Sequence, residues 1–510
     1  MARFNRVMKA ARTATVNRAG GAAYKASTDA ELVGMLLTSF MSDQYYRSGA
    51  EGQARLAEVF AGLPNKKFAA QAAIYARREF GMRSVTHALA VEVAKNVKGE
   101  QWTKDFFDKI IYRPDDATEI LSAYLTKYGK PIPACMKKGL ARAIARYGSY
   151  ALAKYRGENH DLKLIDLVNL VHPKPTEPST IALEQLVKGE LTSVDTWEAK
   201  LTAAGQQAVS DDEKTHLKAE AWRELVHDEK LGYFALLRNL RNMLEQAPDV
   251  VPLALEQLID PARIQHSLVL PFRFITAMKS LQQDRPNPTV SLGQVTQVLV
   301  ALNKALEISL SNVPFLPGRT LVALDDSGSM TSQMGKGGET PQTIGSVFAA
   351  IMFKKMQADV LMFSDDARYQ RGLNPMDSIG TIAGTLMERA QASGTNFHSI
   401  FEVANGAYDR IFILSDEQGW MSLQNPPPTF RRGYYDRPSA NPQPTLARYK
   451  QKYMCNPRIY SWHLVEYGTM MFPEQNVTLL AGFSEKVFDL IKLCEEGQDA
   501  LVNKIKEVQL

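Results

Sequence analysis

Cysteine is scarce in this chain of 510 residues, which contains only Cys135, Cys455 and Cys494. None of the three has the spacing of a Cys-x-x-Cys pair or of a mixed Cys/His motif, which argues against a disulfide framework and a zinc site. No apolar run approaches the roughly 18 residues that a membrane span needs. The first 25 residues also lack the continuous apolar core of a secretory signal. These absences predict a soluble protein of the reducing cytoplasm.

Recognisable catalytic motifs are missing as well. The sequence contains no Gly-x-Ser-x-Gly, no His-Glu-x-x-His and no phosphate-loop motif of the Gly-x4-Gly-Lys-Ser/Thr type. The absence of these motifs argues against a hydrolase and against a protein that binds nucleotide phosphates through such a loop. The sequence predicts a protein that is not an enzyme.

Basic residues are concentrated near the start of the chain. Residues 1–160 hold 26 Lys or Arg against 14 Asp or Glu, whereas residues 161–510 hold 34 against 41. The distribution is more informative than the total of +5, and it predicts that an anionic partner binds the first third. Residues 1–25 contain six basic and no acidic residues, so we expect a basic N-terminal arm there.

Helical periodicity extends from about residue 26 to residue 315. Apolar residues recur on one helix face, as at Tyr233, Leu237 and Leu240, and the breaks between such segments are short and contain Gly, Pro or Asp. A long series of helices with tight links predicts antiparallel pairs that stack as an all-α, HEAT-like solenoid.

The pattern changes to strands after about residue 316. Residues 320–324 are apolar and run directly into a turn that contains Asp325, Ser327 and Ser329. Buried strands that end in polar residues are typical of a parallel sheet with a site at its carboxyl edge. Oxygen ligands suit a hard divalent cation, and Mg²⁺ is the expected ion. The alternative is a strand followed by an ordinary polar turn.

Two further apolar segments, residues 360–363 and 410–414, also end in Ser and Asp residues. With the loop around Gly394, this order resembles the von Willebrand factor A domain and its metal-ion-dependent adhesion site, from residue 316 to residue 510. The resemblance implies an α/β doubly wound domain with five metal ligands: Asp325, Ser327, Ser329, Thr395 and Asp416. Asn396 stands where that family has an acidic residue, which is expected to weaken metal affinity. A metal hydrolase built on the two aspartates is a weaker alternative.

A second candidate site is the basic stretch at residues 127–156, which contains no acidic residue. Lys138, Arg142 and Arg146 are spaced four apart and would form one cationic ridge on a helix. Tyrosines are interleaved with the basic residues. Fixed positive charge beside aromatic rings is typical of RNA or single-strand binding. The alternative is a solvated helix face whose tyrosines belong to the core.

The helical region with its basic face, the stretches at residues 235–240 and 270–273, and the C-terminal metal site together resemble the Ro autoantigen family, which is built on a TROVE module. Bacterial members of that family resemble this chain in composition. The resemblance implies that the helices close into a ring, that small Y-type non-coding RNAs bind its outer face, and that single-stranded ends of misfolded RNAs enter it. It also implies a role in RNA quality control or decay, as a tether or gate for an exoribonuclease.

The family's RNA contact segment matches this sequence at Lys154 and His172, with Arg156 as the neighbouring contact. Together with the ridge, the predicted RNA-binding residues are Lys137, Lys138, Arg142, Arg146, Lys154, Arg156 and His172. The spacing between Tyr155 and His172 departs from the family, so intermediate contacts cannot be assigned. A metal-dependent protein-adhesion scaffold that binds no RNA is the alternative function.

Overall fold

The structure is a computed structural model that describes residues 14–39, 41, 47–157, 161–191, 197–267, 269, 272–283, 290–310, 313, 315–334, 339–421, 442–472, 477–483, 486–495 and 500–510. The described residues form two compact units. The mixed unit comprises Met1–Thr86 with Asn312–Gln509, and the helical unit comprises His87–Ser311 with Leu510. Residues 1–13 of the predicted arm and residues 270–271 of the second family stretch lie outside the described residues. The domain boundaries at residues 26 and 316 stay predictions.

The first part of the chain contains a β hairpin followed by a succession of helices. Strands β1 (Ala14–Val16) and β2 (Ala22–Lys25) pair in the antiparallel sense. The helices that follow are α1 (Thr28–Thr38), α2 (Gly49–Gly62), α3 (Lys66–Glu79), α4 (Ser84–Asn96), α5 (Trp102–Lys109), α6 (Pro114–Tyr128), α7 (Ala134–Ile144), α8 (Ser149–Lys154), α9 (Leu164–Val171), α10 (Thr180–Lys188), α11 (Trp197–Gln207), α12 (Asp211–His227), α13 (Tyr233–Gln246), α14 (Val251–Leu258), α15 (Pro261–Ser267), α16 (Phe272–Gln283) and α17 (Leu292–Ser309).

Short polar side chains fix where several of these helices begin. At α2, Ser48 accepts a hydrogen bond from the backbone of Glu51, whose carboxylate accepts one from the Ser48 backbone in return. Helix α1 begins at Thr28, and its capping side chain is that of Ser27, which accepts a hydrogen bond from the Ala30 N–H. Since Ser27 is the N-cap, Thr28 is the first residue inside the helix.

The C-terminal part of the chain forms a six-stranded sheet with surrounding helices. Its elements are β3 (Thr320–Asp325), α18 (Pro341–Met356), β4 (Asp359–Phe363), β5 (Ala367–Tyr369), α19 (Ile379–Glu388), α20 (Phe397–Val403), β6 (Arg410–Ser415), α21 (Gln443–Tyr453), β7 (Arg458–His463), β8 (Thr469–Met470), β9 (Val477–Ala481), α22 (Lys486–Glu495) and α23 (Ala500–Glu507). The strand order is β5-β4-β3-β6-β7-β9, and every pair is parallel except β4 with β5. β3 and β6 are buried along their whole length, as expected for central parallel strands.

The N-terminal hairpin belongs to the mixed unit. β2 pairs with β8 through Tyr24 and Met470, so that β1, β2 and β8 form a second, small sheet. The described half of the predicted arm is therefore a strand pair. The sequence pattern did not reveal it because each strand has only three or four residues and because the partner strand lies more than 400 residues further along the chain.

The predicted fold class is confirmed in its two parts, a largely helical, solenoid-like region and an α/β sheet region. The predicted strands at residues 320–324, 360–363 and 410–414 correspond to β3, β4 and β6. Among the described helices, none combines the length and the apolar character that crossing a membrane requires.

Candidate functional site

The carboxyl ends of β3 and β6 bring Asp325 and Asp416 to the same edge of the sheet. The two strands are parallel neighbours with Leu324 opposite Leu414, so Ser415 lies opposite Asp325. The Ser415 hydroxyl donates a hydrogen bond to Asp325 Oδ2 over 2.6 Å. Asp416 follows directly, and both aspartates are buried, with 0% and 1% of their surface exposed. The register of the sheet therefore fixes the positions of both carboxylates.

The turn after β3 directs two hydroxyls to the same place. The Ser327 N–H donates to Asp325 Oδ1 over 2.9 Å, and the hydroxyl oxygens of Ser327 and Ser329 lie 3.2 Å apart. Both serines are buried, and a short 3-10 turn at Gly328–Thr331 holds this geometry. The spacing of these residues thus has the effect that the sequence predicts, which is to gather one carboxylate and two hydroxyls.

Thr395 lies in a loop that is tied to this turn. The Gly328 N–H donates to the Ser393 carbonyl over 2.9 Å, and Ser327 and Ser393 form an isolated parallel bridge. Thr395 follows two residues later and is buried. The loop therefore carries the fifth predicted ligand to the edge of the sheet where the serines lie.

Asn396, the residue that departs from the metal-site pattern, has a backbone-organising role. Its side-chain oxygen accepts from the His398 N–H at the start of α20, and its side-chain nitrogen donates to the Asp365 carbonyl over 3.0 Å. The oxygen and the nitrogen of the Asn396 amide thus both bond to backbone groups and stabilise the loop. An aspartate could cap the helix, but it could not donate to Asp365.

The electrostatics of this edge favour a cation. Burial is the main cause that raises the pKa of Asp325 and of Asp416, and the negative charge of Asp416 raises the pKa of Asp325 further. Asp416 Oδ2 is buried and accepts no hydrogen bond from the described residues. A buried carboxylate oxygen without a donor is costly, and a cation relieves both this cost and the repulsion.

The donor set has a definite chemical preference. The candidate ligands are carboxylates and hydroxyls, and no group of three or more His, Cys, Asp or Glu that would hold a metal occurs in the described part of the chain. A cation at this edge therefore depends on the serine and threonine oxygens as well as on the two aspartates. Such a set fits a hard ion that retains part of its water.

Two residues that support this edge were not identified from the sequence. Ser415 orients Asp325, and Arg368 of β5 forms an ion pair with the fully buried Asp326. Asp326 Oδ2 also accepts from the Gln391 N–H over 2.8 Å, which ties the loop before Thr395 to the end of β3. The acidic pair at residues 325–326 was a usable signal, because a second buried carboxylate needs a basic partner.

In the helical unit, the predicted cationic ridge is partly neutralised, and it lies only in part on a helix, because α7 ends at Ile144 before Arg146. Arg142 forms ion pairs with Asp105 and Asp108, and Arg146 lies 2.7 Å from Asp108 Oδ1 and donates to the Asp108 carbonyl. Both carboxylates are on α5, which packs closely against α7 at Gly139, where a Cβ would clash with Phe107. The stretch without acidic residues thus receives them from a helix some 35 residues earlier.

The lysines of the predicted set have different surroundings. Lys138 and Lys154 are exposed, Lys137 is half-buried, and no carboxylate of the described residues lies within ion-pair distance of any of them. The Lys154 ammonium lies 5.8 Å from the ring centroids of both Tyr150 and Tyr155. The Tyr150 side chain is 57% exposed, which excludes a purely core role for this tyrosine.

Arg156 and His172 are positioned by backbone contacts. Arg156 donates to the Leu191 carbonyl over 2.5 Å, and His172 is exposed at the C-terminal end of α9 in a left-handed conformation with φ of 49°. The structure thus brings Arg142 and Arg146 together around Asp108, and Lys154 together with two tyrosines. The role of all seven residues in RNA binding stays a prediction.

Comparison with known proteins identifies the helical region. A TROVE domain model matches residues 190–299, which include α11 to α16 and the first eight residues of α17. Telomerase protein component 1 of Mus musculus is 22% identical over 319 residues, which make up 45% of this chain and 12% of the mouse protein. The Rattus norvegicus protein of the same name is 22% identical over 303 residues. The chain therefore spans about an eighth of the length of these relatives.

A solved structure has the same fold along most of the chain. The crystal structure of the Deinococcus radiodurans Ro (RSR) protein matches with a TM-score of 0.57 and 19% identity, covering 91% of this chain and 98% of that one. Together, the two comparisons describe a chain with a segment similar to the TROVE domain in its helical region, followed by an α/β sheet region. The likeness to the Ro structure concerns the fold, and the sequence match to the TROVE model concerns residues 190–299.

Proposed function

We propose that this protein is a non-catalytic RNA-binding protein of the ribonucleoprotein type. The TROVE match supports RNA as the class of ligand. The helical unit binds RNA through fixed positive charges that contact phosphates and through exposed aromatic rings that stack on unpaired bases. The matched segment, residues 190–299, does not include the basic stretch, so the assignment of the contacts rests on the geometry of that stretch.

The observation that carries this proposal is the state of the lysines on α7 and α8. Lys137, Lys138 and Lys154 have no carboxylate partner among the described residues, and Lys154 is accompanied by the exposed ring of Tyr150. An unneutralised ammonium releases counterions when it meets a phosphate, which is the main source of affinity for nucleic acids. Arg142 and Arg146 contribute less because Asp105 and Asp108 already balance much of their charge.

The finer assignment follows the resemblance to the Ro family. The bound RNAs are Y-type non-coding RNAs and single-stranded ends of misfolded RNAs, and the protein acts in RNA quality control or decay, as a tether or gate for an exoribonuclease. In this role Arg156 and His172 are further contacts. A cytoplasmic location agrees with the scattered cysteines and stays a prediction.

We further propose that the α/β sheet region is a von Willebrand factor A domain whose metal-ion-dependent adhesion site binds a divalent cation, with Mg²⁺ the expected ion. Asp325 and Asp416 supply charge, and Ser327, Ser329 and Thr395 supply neutral oxygens. When bound, the cation offers a coordination position to a carboxylate or phosphate of a partner. The unpartnered Asp416 Oδ2 supports this proposal.

Two measurements test the RNA proposal. RNA crosslinked to the protein in cells is sequenced, and we expect recovery of one or two abundant structured RNAs. The affinity of the purified full chain for those RNAs is then measured for the Lys137→Ala/Lys138→Ala/Lys154→Ala variant, which should bind on the order of 50-fold more weakly at physiological salt.

The matched control removes the same charge from the same unit. Lys188→Ala/Lys214→Ala/Lys230→Ala changes three exposed lysines on and beside α10 and α12, and it should bind like the wild type. A protein purified without RNA that also shows no salt-sensitive binding would favour the metal-dependent adhesion scaffold instead.

A further inference from the structure

The tip of the N-terminal hairpin lies against the loop that carries Asp416. The Asn17 side-chain N–H donates to the Gly419 carbonyl over 2.6 Å, and the Arg18 N–H donates to the side-chain oxygen of Gln418 over 2.8 Å. Gly21 is so close that an added Cβ would overlap the Gly419 carbonyl oxygen. The contact therefore joins two backbones about 400 residues apart, and both belong to the mixed unit.

Hydrogen bonds within the loop at residues 416–420 connect the hairpin tip to the candidate cation site. The Gln418 N–H donates to Asp416 Oδ1 over 3.3 Å, and the Gln418 side chain donates to the Asp416 carbonyl and to Thr469. Gln418 is fully buried, so water does not reach its side chain in this conformation to compete for these bonds. One side chain thus connects the hairpin directly with a predicted ligand.

The same loop reaches the second predicted ligand. The Trp420 N–H donates to the Thr395 carbonyl over 3.2 Å, and Gly419 lies against the Phe397 ring, where a Cβ would clash. A change in the position of Gly419 would therefore move the environment of Thr395 as well as that of Asp416. The contacts of the hairpin tip with Gln418 and Gly419 thus lie beside the two predicted ligands Asp416 and Thr395.

The hairpin tip is itself built to hold this position. Asn17 Oδ1 accepts from the Ala19 and Gly21 N–H groups over 3.1 and 2.9 Å, while its side-chain nitrogen donates to Gly419. Asn17 is only 5% exposed. One amide therefore closes the turn with its oxygen and docks the turn with its nitrogen, a combination that aspartate cannot supply.

We propose that the hairpin is a positioning element for the cation site, with Asn17 and Gly21 as positioning residues, and that hairpin docking and cation binding are coupled. Cation binding strengthens the docking of residues 14–25, and by linkage the docked hairpin raises cation affinity by the same factor. This inference rests on the proposed cation site. It adds that the docked hairpin helps to set the affinity of that site for the cation.

Asn17→Asp tests this coupling most sharply in the full chain. The aspartate keeps the oxygen that closes the turn but places a second oxygen against the Gly419 carbonyl. Calorimetric titration with Mg²⁺ should give an affinity at least about fivefold weaker than that of the wild type. The added negative charge would by itself favour a cation, so a loss of affinity cannot be ascribed to charge.

Val16→Asp is the matched control, because it adds the same charge to the same hairpin at a side chain that is 63% exposed. Hydrogen exchange of peptides covering residues 14–25 gives the reciprocal measurement. Mg²⁺ should slow this exchange in the wild type and leave residues 233–246 unchanged.

Each outcome decides between the two proposals. If the wild type binds Mg²⁺ but neither the variant affinity nor the hairpin exchange changes, the coupling is wrong and the cation site stands. If the wild type binds no Mg²⁺, the cation site is wrong and the coupling fails with it. If Val16→Asp weakens binding as much as Asn17→Asp does, the Asn17 contact is not the cause and its assignment is overturned.

Discussion

The two candidate sites of this protein are held in place by different means. At the edge of the sheet, Asp325 and Asp416 are buried, and the register of β3 with β6 sets where they lie. On α7 and α8, Lys138, Lys154 and Tyr150 are exposed, and no ion pair with a described residue holds the two lysines in place. The first arrangement suits one ion with a fixed geometry, and the second suits a polyanion whose phosphates can meet the lysines in several ways.

This difference implies different sensitivities to mutation. Removing a ligand from a preorganised buried site is expected to cost nearly all of the affinity, because the other ligands cannot move to replace it. Removing one charge from an exposed set costs a fraction, because the remaining charges still attract the same phosphates. The predictions below test this contrast, from the largest expected effect to the smallest.

The largest effect is expected for Asp416→Asn. The variant keeps the shape of the side chain but removes one of the two charges, and Mg²⁺ affinity measured by calorimetry should fall at least about 100-fold. Asp366→Asn, an exposed aspartate of the same unit, should bind Mg²⁺ like the wild type. Equal affinities in Asp416→Asn and the wild type would show that the sheet edge is not the cation site.

Replacement of Tyr150 by alanine should weaken binding of single-stranded RNA about tenfold, because base stacking on an aromatic ring is lost. The salt dependence should stay unchanged, since no charge is removed. Phe234→Ala removes a ring of comparable exposure, 52%, from α13 and serves as the control. Fluorescence anisotropy with a labelled oligonucleotide measures both, and an unaffected Tyr150→Ala would exclude stacking at this position.

The buried site also predicts a pH dependence in the absence of cation. Because the pKa values of Asp325 and Asp416 are raised in the folded protein, the folded state binds protons more readily than the unfolded state above about pH 4. With a chelator present, stability should therefore fall as the pH rises from about 5 to 8, by at least about 1 kcal/mol.

Thermal unfolding with and without Mg²⁺ measures this effect. Saturating Mg²⁺ should remove the loss of stability, because the cation favours the ionised carboxylates, and Asp416→Asn should reduce the loss in the chelated protein. If the stability of Asp416→Asn and of the wild type changed with pH in the same way, the pH dependence could not arise from Asp416.

The smallest effect on RNA is expected for Arg142→Ala/Arg146→Ala. Asp105 and Asp108 already balance these arginines, so RNA affinity should fall no more than about threefold. The same variant should lower stability, because Asp108 is nearly buried and would lose its partners. A loss of RNA affinity as large as that of the three-lysine variant would show that the ridge binds RNA despite its ion pairs.

The sequence predicts the sheet edge better than the basic surface for a physical reason. Asp325, Ser327 and Ser329 are close in sequence, and a parallel sheet necessarily gathers the ends of its strands at one edge. The charge of Arg142, in contrast, depends on Asp105 and Asp108, which reach it only because α5 packs on α7. A charge count along the chain does not include that contact.

The position of the N-terminal hairpin in the fold could not be predicted from the sequence, for a related reason. The turn at residues 17–21 is rich in Asn and Gly and was a usable hairpin signal. Its partner β8 has two residues and its contacts with Gln418 and Gly419 span some 400 residues. Short strands leave no periodic pattern, so the turn could indicate the hairpin but not its distant partners.

The salt dependence of RNA binding tests the central claim most directly. The slope of log affinity against log salt concentration is measured for the wild type and for the Lys137→Ala/Lys138→Ala/Lys154→Ala variant. We predict a steep negative slope for the wild type and one shallower by about 2 to 3 for the variant, since each phosphate contact contributes about 0.7 to 0.9. The same slope in both proteins would contradict the claim that these lysines bind the RNA backbone.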